Sequence, residues 1–423
     1  MNQTMAAEEV RRAEDEARDV TRTTCCVVGG GPAGAMLSLL LARKGVDVTL
    51  LEAHPDFDRE FRGDTIHPSV MEIMDQLGLA DKLLELRHTE IRSATVQTDA
   101  GPFRPLDLSH LNTKYPYITM MPQKDFLEFI TGEADRYPNF RLVMSARVRE
   151  LLEEDGVVRG VRYEAEDGWH EVRAVLTVGA DGRGSRMRRL AGFEPIKTSP
   201  PMDILWFKLP REPDDPEGAM GRVGRGHIAI LLDRFDYWQA GYVIPKGAYP
   251  ELRHEGIESL RRSFAELIPQ FADRLERLDD WKEVSLLSVE SSRCPRWYRP
   301  GLLLIGDAAH VMSPVGGVGI NYAIQDSVVA ANVLAGPLKE SQARLKDLDT
   351  KYLAAVQRRR ELPTRFIQAI QTQIQRRVLA NVLRSDQPLS PPRWLRQLPR
   401  VPVVRSVPAR IFGLGLWRVR VKE

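Results

Sequence analysis

The sequence predicts a mixed α/β fold: a wound, mostly parallel sheet, then an antiparallel sheet, then a helical C-terminal region. Three observations predict it. A glycine-rich turn joins an apolar strand to an apolar helix between residues 25 and 43. Two more buried-strand patterns end in Gly-Ala-Asp-Gly at 179–182 and Gly-Asp at 306–307. Between them, residues 200–245 hold three apolar or aromatic runs with no helix among them, which is the pattern of an antiparallel meander.

In order along the chain, residues 1–22 read as a polar tail or an exposed helix. Cys25 to Val28 suits a buried parallel strand, Gly29 to Gly34 a turn, and Ala35 to Arg43 a helix capped by Gly45. Val46 to Leu51 is a second strand, so 25–51 forms a Rossmann-like βαβ unit. Ser69 to Leu86 has helical apolar spacing, and a helix runs from Lys124 to Ala134. Arg141 to Glu153, Val157 to Ala165 and His170 to Val178 read as strands. Ile204 to Leu209, His227 to Leu232 and Tyr237 to Ile244 form the meander, and Leu252 to Leu278 is helical. The glycine-rich stretch Gly218 to Gly226 lacks dinucleotide spacing and reads as a hairpin tip. Leu302 to Ile305 is again a buried strand, and Gly316 to Gly319 opens a helix reaching about Leu334. The chain then stays helical to about Arg384 and ends basic and proline-interrupted. The expected division is a tail (1–22), a discontinuous nucleotide-binding domain (23–195 and 290–340), an antiparallel sheet domain (196–289), to which the resemblance given below assigns substrate binding, and the C-terminal region (341–423).

Composition narrows the function. The chain has 423 residues, 43% hydrophobic and 28% charged, and a net charge of +2, so nothing draws it as a whole to nucleic acid. Charge is placed unevenly: residues 351–423 carry 16 Lys/Arg against 3 Asp/Glu. Three cysteines, two of them adjacent, do not make a disulfide framework and suit a reducing cytoplasm. No Cys/His grouping suggests a metal, and Ser185 is not in a GxSxG elbow, which argues against a hydrolase. No apolar stretch approaches the ~20 residues that span a bilayer.

Gly29-Gly30-Gly31-Pro32-Ala33-Gly34 is a GxGxxG pattern in its proper setting, after a strand and at a helix start. Gly29 permits the tight turn, Gly31 lets the backbone approach a pyrophosphate, and Gly34 lets helix and strand close together. The helix start offers free N–H groups and a positive dipole end to phosphate. Glu52, 21 residues after Gly31 at the tip of the second strand, suits ribose hydroxyls. Asp181 and Asp307 each stand just past a buried strand, where open α/β sheets hold ligands; both also suit helix caps. Pro314 to Asn321 places three glycines before a helix, a cluster of amides fit for a planar ring that gains negative charge.

The order GxGxxG, then Asp-Gly, then Gly-Asp, then a glycine turn before a helix resembles the class A flavoprotein monooxygenases, the para-hydroxybenzoate hydroxylase-like family. Phe61 to Pro68, Met71 to Leu79 and Met121-Pro122-Gln123 resemble segments of that family too. The resemblance implies a Rossmann-like FAD-binding domain and an antiparallel substrate sheet. It implies that Gly29, Gly31, Pro32, Ala33 and Gly34 hold the FAD pyrophosphate and Glu52 the adenosine ribose. Arg62 and Gln123 would lie along the FAD chain. Asp181 would touch FAD and assist NAD(P)H, and Asp307 would bind ribityl or pyrophosphate-side groups. Gly317, Gly319 and Asn321 would abut the isoalloxazine. The turn reads Gly-Val-Gly-Ile-Asn where the family commonly has GQGxN, which changes a side chain and keeps the backbone amide.

The implied activity is hydroxylation of an aromatic or polyketide-like small molecule by O2 through a C4a-hydroperoxyflavin, with NAD(P)H as transient co-substrate. Alternatives are a double-bond reductase or dehydrogenase of the isoprenoid-reductase kind, or a catalytically idle flavoprotein. A tryptophan-halogenase signature is absent; residues 238–245 echo it only distantly. Trp206, His227, Trp238 and Tyr242 are the candidate substrate lining; no catalytic residue is assigned. The basic C-terminal region reads foremost as packing against the acidic remainder, and otherwise as a contact with a membrane surface or acidic partner.

Overall fold

The structure is a computed structural model that describes residues 19–58, 64–99, 101–216, 218–224, 226–344, 347–384 and 407–422. Its centre is an eight-stranded sheet. One path runs Tyr298–Arg299, Leu302–Leu304, Gly168–Gly179, Asp19–Val28, Val48–Leu51, Phe140–Val143. From Leu302–Leu304 onward these neighbours are all parallel. Parallel strands are covered on both faces, and Cys25 to Val28 are accordingly buried.

Register positions the site. Val28 pairs with Leu51 on one side and Gly179 on the other, and Gly179 pairs with Leu304. The glycine turn, Glu52, the Asp181 turn and the Asp307 turn therefore leave the sheet along one edge. The Gly319–Arg344 helix lies against the Pro32–Arg43 helix, where Ser327 Oγ donates to the Ala33 carbonyl over 2.7 Å.

A second sheet has seven strands in the order Ser285–Leu287, Met202–Pro210, Tyr237–Pro245, His227–Asp233, Ala219–Gly224, Ser93–Thr98, Gly101–Asp107. Alternation divides it into two apolar faces. Phe207, Leu231, Trp238 and Tyr242 pack beneath the Ile257–Leu267 helix through Phe264. Met202, Ile204, Ile228 and Val243 point the other way, beside Trp206 and Val315.

Several expectations need correction. Residues 19–22 belong to the first strand, because 168–179 is long enough to pair with it from Asp19. Gly78, at φ +71°, divides the expected 69–86 helix into Pro68–Gln76 and Ala80–Leu84. The 252–278 segment is two helices, Tyr249–Glu255 and Ile257–Leu267, and then 3-10 turns; Gly256 at φ +93° divides the pair. Residues 219–224 are a strand rather than a hairpin tip, paired with 227–232 and with 95–97. The substrate sheet thus takes two strands from 93–107, outside the expected 196–289 span. Those two carry no strong apolar alternation, so pairing and not local pattern makes them strands.

Trp238 is 1% exposed and its Nε1 donates to Asp215 over 2.8 Å. Trp238→Phe deprives that largely buried carboxylate of a donor, and chemical denaturation should show a loss of about 1–3 kcal/mol.

Candidate functional site

Each motif glycine meets a different neighbour. A Cβ on Gly29, which has φ +106°, would stand 2.6 Å from the Ala180 carbonyl oxygen, and one on Gly34 only 1.9 Å from that of Gly29. Those two close the backbone onto itself. Gly31, at the N-cap of the helix beginning with Pro32, has nothing within 4 Å of a Cβ, so its open side faces a space at a helix start. Ala33 is buried behind it. Glu52 lies 7% exposed against this turn. Its Oε2 accepts the Gly30 amide at 2.8 Å, and its Oε1 accepts the His54 amide at 3.1 Å.

Asp181 acts on its own turn. Its Oδ1 accepts from Ser185 Oγ at 2.5 Å and its Oδ2 from the Met187 amide at 2.9 Å. Burial pushes its carboxyl pKa up. Ser185 in turn caps Arg186–Leu190 by accepting from the Arg188 amide. Arg188 was not foreseen. Its guanidinium donates to the carbonyls of Ala308 at 2.9 Å and Arg183 at 2.6 Å, stitching the 181–185 turn to the 306–308 turn. Its one sequence signal is its place on the helix that Ser185 caps. Arg183 Nε also stands 3.5 Å from Asp307 Oδ2.

The Gly306–Asp307 turn rests on a buried charge cluster that the sequence reading also missed. Asp326, fully buried, accepts the Gly306 amide at 3.0 Å and lies 2.6 Å from His310 Nε2 through Oδ2. Its Oδ1 accepts Arg360 Nε at 2.7 Å. Burial opposes its charge, but His310 and Arg360 outweigh burial and hold the carboxyl below its usual range. A Cβ on Gly306 would contact those of Ala33 at 3.1 Å and Ala323 at 3.3 Å, so this turn wedges between the starts of both long helices.

The second glycine turn is held from outside. Thr65 Oγ1 donates to the Gly317 carbonyl at 2.9 Å. The Asn321 amide donates to the carbonyls of Thr65 and Gly317, each at 3.3 Å, and its oxygen accepts the His67 amide at 2.8 Å. Asn321 is therefore a brace between turn and strand. Gly319, first residue of the helix, has nothing within 4 Å of a Cβ, like Gly31.

Arg62 lies outside the described residues. Gln123 begins the Gln123–Asp135 helix, and its amide donates to Asp64 Oδ1 at 3.0 Å. Asp64 pairs with Arg234, from the turn between two substrate-sheet strands. Arg234 also donates to Gln239, and burial pulls its pKa down to about 10. This pair, which ties the segment before the 65–66 strand to a turn of the seven-stranded sheet, left no mark in the sequence because its partners are 170 positions apart.

The four aromatic candidates part company. Trp238 and Tyr242 do share a face, as alternation demands, but it is the face packed under Phe264 and Phe271. His227 lies there too, with Nδ1 2.6 Å from the Tyr242 hydroxyl. Only Trp206 stands on the Val315 side, its ring over Gly241, where a Cβ would approach it to 2.6 Å. Among the described residues no group of three or more His, Cys, Asp or Glu is arranged to hold a metal, and no helix is long and apolar enough to cross a membrane.

Two helix starts bared of Cβ atoms, with carboxylates at the same sheet edge, fit an elongated phosphate-bearing cofactor with a planar head. With the antiparallel sheet beside the second turn, they suit a flavin-dependent oxidoreductase. The family model for the FAD binding domain matches residues 22–365. The chain is 34% identical to 6-methylpretetramide 4-monooxygenase of Streptomyces rimosus, over 95% of each chain. It is 29% identical to the 12-dehydrotetracycline 5-monooxygenase/anhydrotetracycline 6-monooxygenase of the same species, over 71% of this chain and 60% of that one. In fold it is similar to p-nitrophenol 4-monooxygenase of Pseudomonas putida DLL-E4, with TM-score 0.71 and 20% identity over 93% of this chain and 94% of that one. The chain belongs to the class A FAD-dependent flavoprotein monooxygenases.

Gly31→Ala and Gly34→Ala separate cofactor space from fold. Gly31→Ala should keep the wild-type melting temperature without FAD and weaken FAD at least about ten-fold in a fluorescence titration, since one lost phosphate–amide contact is worth ~1.4 kcal/mol. Gly34→Ala should lower the melting temperature even without FAD, because its Cβ has no room.

Proposed function

We propose that this monooxygenase hydroxylates an electron-rich carbon of a fused-ring aromatic or polyketide-like molecule and draws its electrons from NAD(P)H that docks transiently. The balance is substrate C–H, O2, NAD(P)H and a proton in; substrate C–OH, water and NAD(P)+ out. Bound FAD supplies the electron transfer and the activation of dioxygen. The chain supplies the rest. Gly29 to Gly34 hold the pyrophosphate at a helix start, and Glu52 takes the adenosine ribose. Asp307 serves the ribityl side, steadied by Arg188 and by Asp326 beneath it. Arg62 and Gln123 line the FAD chain. Asp181 acts by capping the turn that carries Arg183. Gly317 and Gly319 give amides to the ring edge, with Asn321 fixing their direction.

The carrying observation for the substrate class is the face beside Val315. Trp206, Met202, Ile204, Ile228 and Val243 make it apolar. Such a wall excludes water and accepts a flat, neutral ring system. The names of the relatives, all acting on aromatic or tetracycline-type molecules where cited above, support the same reading. The reductase and idle-flavoprotein readings gain no support from them. We read the described end of the basic C-terminal region, residues 407–422, as packing on the body rather than as a membrane or acidic-partner contact; residues 385–406 of that region lie outside the described residues. Its support is Arg418, which pairs with Glu72 at 3.5 Å, and the Val421 amide, which donates to Gln76.

Purified FAD-loaded protein should oxidise NADPH or NADH faster when fused-ring phenols are added, and the product should carry label from labelled dioxygen. Stimulated oxidation that leaves every product unlabelled counts against the hydroxylase. Trp206→Ala should raise KM about ten-fold, the worth of one well-packed aromatic contact, with a smaller change in kcat.

A further inference from the structure

We propose that the C-terminal strap, residues 409–422, completes the flavin site, and that Phe412 is the positioning residue that clamps the Gly316–Gly319 turn. The inference rests on that turn receiving the flavin. The strap lies beyond residues 22–365, the span shared with the FAD-binding family.

The contact is direct. A Cβ on Gly316 would come within 2.4 and 2.5 Å of two carbons of the Phe412 ring, so the ring lies flush on the backbone of the turn. Gly316 and Gly317 have φ of +80° and +62°, a conformation with little internal restraint when no side chain is present. Something outside the turn must hold it. On the side of Gly317, Thr65 Oγ1 would lie 2.9 Å and His67 Nε2 3.6 Å from a Cβ. The two glycines are therefore held between Phe412 and the strand at 65–66.

A hydrogen-bonded chain joins the two jaws. The Phe412 carbonyl lies 2.7 Å from His67 Nδ1. A carbonyl only accepts, so the proton is on Nδ1. His67 is fully buried, and burial brings its pKa down to about 4, which keeps the ring neutral. The His67 backbone amide donates to Asn321, whose own amide donates to the Gly317 carbonyl. Movement of Phe412 is thus felt at the turn by two routes, through its ring and through His67 and Asn321.

The strap is anchored well away from the turn. Gly413 sits where a Cβ would press Leu111 at 3.0 Å and Leu108 at 3.1 Å. Asn332 donates to the Arg420 carbonyl at 2.7 Å and accepts the Lys422 amide at 2.9 Å. Lys44, just past the first helix, donates to the Lys422 carbonyl at 2.5 Å. The strap therefore ties the flavin-turn end of the molecule to the far end of the helix whose start forms the other glycine turn. Ordering a backbone costs conformational entropy, and a clamp that meets this cost before the cofactor arrives favours binding.

The test uses the full chain with Phe412→Ala, Phe412→Leu and Phe412→Tyr, and Trp417→Ala as an exposed strap control. FAD affinity is read by fluorescence titration, flavin environment by the visible absorption bands, and the fold by melting of the FAD-free protein. Phe412→Ala should weaken FAD about ten-fold and shift the bands. Phe412→Leu should fall between, Phe412→Tyr should restore both, and Trp417→Ala should match wild type. Wild-type affinity and bands in Phe412→Ala overturn the proposal, even if its melting temperature falls. Should Phe412→Ala not fold, wild-type values in Phe412→Leu overturn it equally. Failure of the wild-type chain to take up FAD would instead strike the flavin reading itself.

Discussion

The helix at 32–43 begins where it does because Gly34 brings no Cβ to the Gly29 carbonyl, which an added atom would meet at 1.9 Å. That approach fixes the helix start over the edge of the parallel sheet. The edge is itself level, since Val28, Leu51, Gly179 and Leu304 share one register row. Four segments distant in sequence therefore deliver their functional residues to one line. Gly306 then fits between Ala33 and Ala323, so the second helix start is placed by reference to the first. Small residues at these few points let two positive helix ends converge along one edge of the sheet.

Polar groups inside this arrangement are arranged to hold backbone, and few are free for a ligand. Asp326, His310 and Arg360 fix the 306–308 turn from below. Arg188 ties that turn to the neighbouring one, and Asn321 braces the second glycine turn. Such networks are strong only when each member is satisfied, and breaking one leaves a charge buried without its partner. The Asp64–Arg234 pair does the same work between the segment before the 65–66 strand and the seven-stranded sheet. The two helix starts present amides and open space, with side chains one layer behind.

The sequence carried the nucleotide half clearly. The GxGxxG turn, Glu52 and the two strand-end aspartates owe their shared sheet edge to local spacing, and spacing survives in a linear reading. The helices broken at Gly78 and Gly256 were less legible, because apolar spacing runs through a glycine that bends the chain. The strands at 93–98 and 101–107 were invisible, as they are made by partners in another part of the chain. The aromatic residues show the limit most plainly. Alternation rightly put Trp238 and Tyr242 on one face, but which face is covered by a helix depends on the 257–267 segment packing there. Arg188 and Asp326 escaped notice because each acts on a carbonyl or amide far away in sequence, and Arg360 because its partner is a buried carboxylate 34 positions away. Arg62 falls outside the described residues.

A titration that sets FAD against FMN, each followed by its fluorescence, tests the central claim that one cofactor spans both glycine turns. Both ligands carry the same ring and ribityl chain, and only FAD reaches the turn at 29–34 and Glu52. The account predicts that FAD binds tighter by roughly 100-fold or more, the worth of about two phosphate or ribose contacts at ~1.4 kcal/mol each. Equal affinity for the two would mean that the first turn holds nothing, and would contradict it.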